Sequence, residues 1–179
     1  MAKRIIRGVR VATPRGIEPA SVFIEDGRIT FVAGYEDIPR EAKAEELGKS
    51  VLMPGLIVAD PETSEQRRMD ALRGGVTTLS SDGPSSARDS ELSQFLSQHW
   101  TTMREKDQSL ELLVRQLVLE PANQAGLEQR KGQIAAGFDA DFVVWNPEYT
   151  VTGAQPPLYG LVRQVIVAGV TRVLEGKLT

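Results

Sequence analysis

Turn signals at both ends of the chain constrain its fold most strongly. Near the N-terminus, Asp26 and Gly27 separate two β-branched and aromatic runs, 21–24 and 29–32. An Asp-Gly pair in this setting is a strong hairpin signal, because both turn positions need positive φ and these residues tolerate it. Near the C-terminus, the pair Ala168-Gly169 separates two further strand candidates. The sequence therefore predicts β-structure at both ends.

Helical signals occupy the middle of the chain. Thr63 with Gln66 forms a capping-box pattern, and Gly74 is expected to end that helix after Arg73. Residues 76–79 then favour a strand. A stripe at helical spacing follows, formed by Leu92, Phe95, Leu96, His99, Trp100 and Met103.

Two further helices and two buried strands complete the pattern. Ser109 is expected to cap a helix that carries a second apolar stripe, and Pro121 is expected to open a last short helix. The strand candidate 51–53 should end at Pro54-Gly55, and the strand 142–145 should end at Asn146-Pro147. A strand-rich, helical, strand-rich order predicts an α+β fold.

Composition excludes several classes of partner. The chain has 179 residues, 41% of them hydrophobic, which is enough for one domain with a core. Its net charge of -3 includes no long block of one sign, so we expect no nucleic-acid partner and no membrane anchor. The absence of cysteine excludes disulfides and thiolate metal sites and suits a cytoplasmic protein.

Three segments, in order, resemble the cyclic-amide amidohydrolases of the allantoinase and dihydroorotase type. The first runs from Ile5-Ile6-Arg7-Gly8 through Glu25-Asp26-Gly27-Arg28-Ile29 to Val51-Leu52-Met53-Pro54-Gly55-Leu56-Ile57. The second is Gly74-Gly75-Val76-Thr77-Thr78, and the third joins Arg130-Lys131-Gly132-Gln133-Ile134 to Gly137-Phe138-Asp139-Ala140-Asp141-Phe142-Val143-Val144. Together they cover most of the chain.

The resemblance implies a composite β-sandwich in which strands from both chain ends pair. Residues 1–57 and 128–179 would form this sandwich. Residues 58–127 would be a remnant of the family's TIM barrel, mainly helical, because barrel strands three to seven have no counterpart. A helical insert would then replace most of the barrel.

The family's chemistry depends on a binuclear metal centre, usually zinc, that activates a bridging water. Its members place a His-x-His pair after the Pro-Gly-Leu-Ile-Asp run and take a carboxylated lysine and two more histidines from middle strands. Here Asp60 and Glu62 stand at the His-x-His positions, the middle strands are missing, and the chain has one histidine. The resemblance therefore implies that no metal cofactor is bound.

The remaining candidates have structural alternatives. Asp60 and Glu62 could bind a hard cation, but two carboxylates alone make a weak site, and we favour the alternative that they are loop and helix-entry acids near a helix dipole. Asp82 is either a remnant of the family's last-strand aspartate or part of a Gly-Pro turn. His99, within an apolar stripe, is predicted to be packed or half-buried. The resemblance implies that Asp139 and Asp141 shape the turn into a sandwich strand.

Three functional hypotheses follow. The first is a pseudo-enzyme that serves as a binding, scaffolding or regulatory subunit, with a full-length amidohydrolase as a candidate partner. The second is a metal-dependent hydrolase of carbon-nitrogen bonds in cyclic amides, built on Asp60, Glu62 and Asp82. The third is a deletion product without a selected role. Because the helices would lack a barrel to cover, we also expect a homodimer through helices in 86–119.

Overall fold

The computed structural model describes residues 3–61, 64–81, 92–153 and 157–179. Its strands are β1 Lys3–Thr13, β2 Gly16–Glu25, β3 Arg28–Gly34, β4 Glu45–Glu46, β5 Val51–Pro54, β6 Leu56–Ala59, β7 Val76–Ser80, β8 Phe142–Val151, β9 Leu158–Val167, β10 Val170–Leu174 and β11 Lys177–Leu178. Its helices are α1 Glu65–Arg73, a 3₁₀ turn Leu92–Gln94, α2 Phe95–Glu105, α3 Leu110–Val114, a π turn Arg115–Leu119 and α4 Glu120–Gln124.

Strands from both ends of the chain share one sheet. Its order is β11-β10-β9-β8-β5-β1-β2-β3, with β4 paired to β1. The two ends join where β5 pairs antiparallel with β8, with Val51 opposite Trp145 and Pro54 opposite Phe142. The predicted α+β class is confirmed, and the chain-end strands pair as the resemblance implies.

The two predicted hairpin turns are confirmed, and they meet in space. Asp26 and Gly27 have φ values of 50° and 78°, while Ala168 and Gly169 have 48° and 76°. A Cβ added at Gly27 would lie 3.0 Å from the Ala168 carbonyl oxygen. Arg4 of β1 also donates a hydrogen bond of 3.0 Å to the Gly169 carbonyl. The sheet therefore folds back so that its two halves face each other.

The central strands are buried on both faces. In β5, Leu52 faces a core shared with β1, β2 and β3, while Val51 and Met53 face a second core shared with the helices. In β8, Phe142 belongs to the first core and Trp145 to the second. Because successive side chains of a strand point to opposite faces, each of these short apolar strands contributes side chains to both cores.

The polypeptide changes sheets at Gly55. Its N–H donates to the Asp141 carbonyl, 2.9 Å away, and the next residues form β6, which pairs in parallel with β7. A Cβ at position 55 would overlap the Thr77 side chain, so only glycine fits here. The strand predicted over 51–53 thus ends at Pro54, as expected, and a second strand begins two residues later.

Three local predictions need correction. Helix α1 is capped by Ser64, whose side chain accepts from the Arg67 N–H, and Thr63 lies outside the described residues. Strand β8 does not stop at Asn146-Pro147 but continues irregularly to Val151. The predicted last short helix is present as α4 with Pro121 in its first turn, but it is not separate, because the chain stays helical from Leu110 through the π turn to Gln124.

The apolar helical stripes are buried within the chain itself. Leu96 of α2 is fully buried, and Trp100 packs edge-on against Trp145, with ring centroids 5.7 Å apart. Leu113 and Leu117 are buried in the same core. The homodimer stays a prediction, but exposed apolar stripes no longer argue for it. None of the helices in the described ranges is long and apolar enough to cross a membrane.

Asp141 fastens the C-terminal strands to the loop before β8. One carboxylate oxygen accepts from the Ala168 N–H at 2.7 Å, and the other pairs with Lys131. The side chain of Asp139 also lies 3.4 Å from the Lys131 amine. Both acids therefore hold the turn into β8, which is the role predicted for them.

Replacing Asp141 by alanine should lower the free energy of unfolding by about 1–3 kcal/mol, because the Ala168 N–H loses its charged acceptor and Lys131 loses one of its partners. Asp141→Asn keeps the acceptor and should lose roughly half as much. Urea unfolding followed by circular dichroism measures both. Glu105→Ala, at an exposed helix end, is the control, and equal losses in the two Asp141 variants would contradict the assigned role.

Candidate functional site

Strands β6 and β7 form the parallel pair at which ligands would be expected. In open parallel sheets, binding sites lie beyond the carboxyl ends of the strands. Here those ends are Ala59 and Ser80, which pair in register, and the Asp60 N–H donates to the Ser80 carbonyl at 2.8 Å. Asp60 is thus the first residue beyond the carboxyl end of β6.

The buried carboxylate of Asp60 forms an ion pair with the guanidinium of Arg67. The residue is 3% exposed, and its Oδ2 accepts a hydrogen bond of 2.6 Å from Nε of Arg67. Arg67 lies on the first turns of α1, seven residues later in the chain. The side chain of Asp60 therefore points to α1, whereas the side chain of Ala59 points into a neighbouring cavity. This geometry makes Asp60 part of a strand-to-helix ion pair.

The other two predicted site residues, Glu62 and Asp82, lie outside the described residues. Within the described ranges, no group of three or more histidine, cysteine, aspartate or glutamate side chains is placed to hold a metal ion. Among the described residues, the side chain that hydrogen-bonds the Asp60 carboxylate is a guanidinium, which is not a zinc ligand. We therefore derive no reaction step through a metal.

A cavity of about 210 Å³ lies at the carboxyl ends of β6 and β7. Strand residues Ile57, Ala59 and Ser80 form one wall, and α2 contributes Phe95 and His99. The helical segment from the π turn into α4 forms the opposite wall, with the polar side chains of Gln116, Glu120 and Gln124. This volume is below the roughly 300–1,000 Å³ of pockets for drug-sized ligands, so the cavity suits only small molecules.

His99 is oriented within this cavity by its own helix. Its Nδ1 lies 2.9 Å from the Phe95 carbonyl oxygen, and its ring lies against the Phe95 ring with centroids 4.2 Å apart. Because a carbonyl oxygen only accepts, Nδ1 is the donor in this contact, and Nε2 is the ring nitrogen free to face the cavity. The imidazole is half-buried, as predicted. Its position on the cavity wall was not predicted.

The π turn on the opposite wall has a local cause. In a helix, Pro121 cannot donate a backbone hydrogen bond to the carbonyls of Gln116 or Leu117, and its ring crowds the preceding turn. The widened turn Arg115–Leu119, in which the Glu120 N–H reaches the Arg115 carbonyl, accommodates the proline without ending the helix. Pro121 is visible in the sequence, but the π turn was not predicted, because a proline after an apolar stripe is also typical of the start of a new helix.

The cavity wall carries hydrogen-bonding side chains but few charged ones. Among the polar side chains on its wall, Glu120 is paired with Arg115 at 3.1 Å, and Gln116 and Gln124 are neutral amides. With one imidazole beside them, the arrangement suits hydrogen bonding to a small polar molecule.

Parts of the chain match a protein-family model and a known enzyme. A family model described as the amidohydrolase family matches residues 70–173, more than half of the chain. An allantoinase from Streptomyces avermitilis is 35% identical over 86 residues, which are 42% of this chain and 19% of that protein. The match therefore spans about a fifth of the length of this curated relative.

Solved structures share the fold. The dihydropyrimidinase of Brevibacillus agri aligns with a TM-score of 0.77 and 10% identity, covering 99% of this chain and 96% of that one. The L-hydantoinase of Arthrobacter aurescens aligns with a TM-score of 0.74 and 9% identity, covering 100% and 98%. At such identities the likeness concerns the fold alone.

The ion pair between Asp60 and Arg67 should be energetically coupled. In a double-mutant cycle with Asp60→Asn and Arg67→Met, we expect a coupling energy of about 1–3 kcal/mol, because one partner is buried and the contact is charge-assisted. The exposed pair Asp70 and Arg73 on the same helix is the control, expected below about 1 kcal/mol. Equal coupling in both pairs, measured by urea unfolding, would remove the structural role given to Asp60.

Proposed function

Because the chain belongs to the amidohydrolase family, we propose that it is a barrel-less, non-catalytic homologue of allantoinase- and dihydroorotase-type enzymes that acts as a binding, scaffolding or regulatory subunit. The observation that carries the proposal is the Arg67 guanidinium 2.6 Å from Asp60. A metal ion at this position would compete with a cation that the fold already supplies. The carboxylate that replaces the family's first histidine thus stabilises the fold instead of holding a metal.

In this proposal, the helical segment from Leu92 to Gln124 takes the place of the missing barrel strands. Its apolar side chains cover the same strands, β6 and β7, that begin the barrel in full-length members. The cavity beside His99 is then a small binding site, and the cytoplasmic location expected from the cysteine-free sequence stays part of the proposal. The partner we propose is a full-length amidohydrolase.

A metal-dependent hydrolase of cyclic amides is the second candidate. Family membership favours it, and so does a cavity at the carboxyl ends of β6 and β7 that carries an oriented imidazole. In that case Asp60, Glu62 and Asp82 would form a minimal site. The two candidates differ in what Asp60 binds.

Metal analysis and activity assays separate them. We expect the purified chain, incubated with zinc and then desalted, to retain far less than one metal ion per molecule and to hydrolyse hydantoin, allantoin and dihydroorotate no faster than buffer. Stoichiometric zinc, together with turnover that Asp60→Ala abolishes, would establish the second candidate. Asp70→Ala, which removes a carboxylate on α1 that is far more exposed than Asp60, is the control for Asp60→Ala.

Assembly is tested with a defined partner. The chain and a full-length allantoinase from the same organism, each purified, should elute together by size exclusion with light scattering at micromolar concentration. The chain alone reports whether the expected homodimer forms. Separate elution of the two proteins at all concentrations tested would count against the subunit role.

A further inference from the structure

The outer edge of β7 borders a long groove. In the part of the chain that the structure describes, β7 pairs only with β6. A groove of about 580 Å³ touches the consecutive residues Val76, Thr77, Thr78 and Leu79. Because successive side chains of a strand point to opposite faces, a groove that touches four in a row runs along the strand's edge.

The backbone of Leu79 faces this groove. The Ser80 carbonyl accepts from Asp60 and so points toward β6, and backbone groups alternate in direction along a strand. The N–H and C=O of Leu79 therefore point the opposite way, toward the open edge. An unpaired strand edge of this kind is a template for pairing with another chain.

The groove is locally basic although the chain carries a net charge of -3. Arg68 of α1 and Arg172 of β10 line it, both are exposed, and neither makes an ion pair with any described residue. Lys131 also lines the groove, but Asp139 and Asp141 neutralise it. Two uncompensated guanidinium groups thus flank an open strand edge.

We propose that an extended, acidic peptide segment of a partner protein docks in this groove by adding a strand to the outer edge of β7. Backbone hydrogen bonds to Leu79 would supply affinity, and carboxylates reaching Arg68 and Arg172 would supply specificity. Apolar side chains between the acids would rest on Leu72 and Val167, which also line the groove. The occupant is therefore a strand with alternating acidic and apolar residues.

A second copy of this chain fits the groove poorly. Pairing of two β7 edges would bring the arginines of both copies toward the same junction, and like charges across an interface oppose association. The inference names the kind of partner for the binding role proposed above and rests on that role. Its failure would leave the metal and hydrolysis measurements unchanged, so the two outcomes are separable.

The test uses a fluorescent synthetic peptide of about eight residues, a usual strand length, that alternates Glu with Val. Fluorescence anisotropy with the full chain should show saturable binding that weakens as salt is raised. The charge reversal Arg68→Glu with Arg172→Glu should weaken binding at least about tenfold. Arg40→Glu, an exposed arginine on the loop after β3, is the control and should leave binding unchanged.

Two further measurements test the strand edge itself. On peptide binding, the Leu79 amide should exchange with solvent at least about tenfold more slowly by NMR, since it gains a hydrogen bond. A peptide of the same charge with proline at alternate positions cannot pair as a strand and should not bind. Equal binding of the proline peptide, no effect of the arginine reversals, unchanged Leu79 exchange or no binding at all would each overturn the proposal.

Discussion

The antiparallel pairing of β5 with β8 is the contact on which the rest of the structure depends. It joins residues 51–54 to residues 142–145 and places both strands at the middle of one sheet. Their side chains fill two cores, one closed by β1 to β3 and one by β6, β7 and the helices. Without this pairing, the N-terminal hairpin and the C-terminal hairpin would each keep an apolar face exposed to water.

The sequence predicted the fold where local chemistry decides the structure. The turns at Asp26-Gly27 and Ala168-Gly169 follow from residues that tolerate positive φ, and the cap at Ser109 follows from a side chain that accepts from a backbone N–H. Predictions failed where two local solutions compete. Ser64 rather than Thr63 caps α1, and the short helix with Pro121 in its first turn continues directly from a π turn instead of standing apart.

The candidate site was predictable only in part, for a physical reason. The replacement of a histidine position by Asp60 is visible in the sequence, but its partner Arg67 is recognised only once strand and helix are folded together. Likewise, His99 was correctly expected within a packed stripe, but the cavity wall it shares with Gln116 depends on how two helices pack. Contacts between elements distant in sequence leave no local pattern to read.

The parallel pair β6 and β7 shows how a piece of a barrel can persist. Parallel strands are normally buried on both faces by helices, and here α1 and the helical segment after residue 92 provide that cover. The ion pair from Asp60 to Arg67 ties the end of β6 to α1. In the proposed function, a position that serves metal chemistry in the wider family has become a structural contact between a strand and the helix that follows it.

The β5 to β8 pairing also sets the order of events during synthesis. Roughly 90 residues separate the two strands, so at about 5–20 residues per second the ribosome needs on the order of 5–20 s to deliver β8 after β5. During that interval Val51, Leu52 and Met53 have no strand to cover them on one side. The nascent chain therefore exposes its future core strand throughout that interval, when transiently exposed apolar surface favours aggregation.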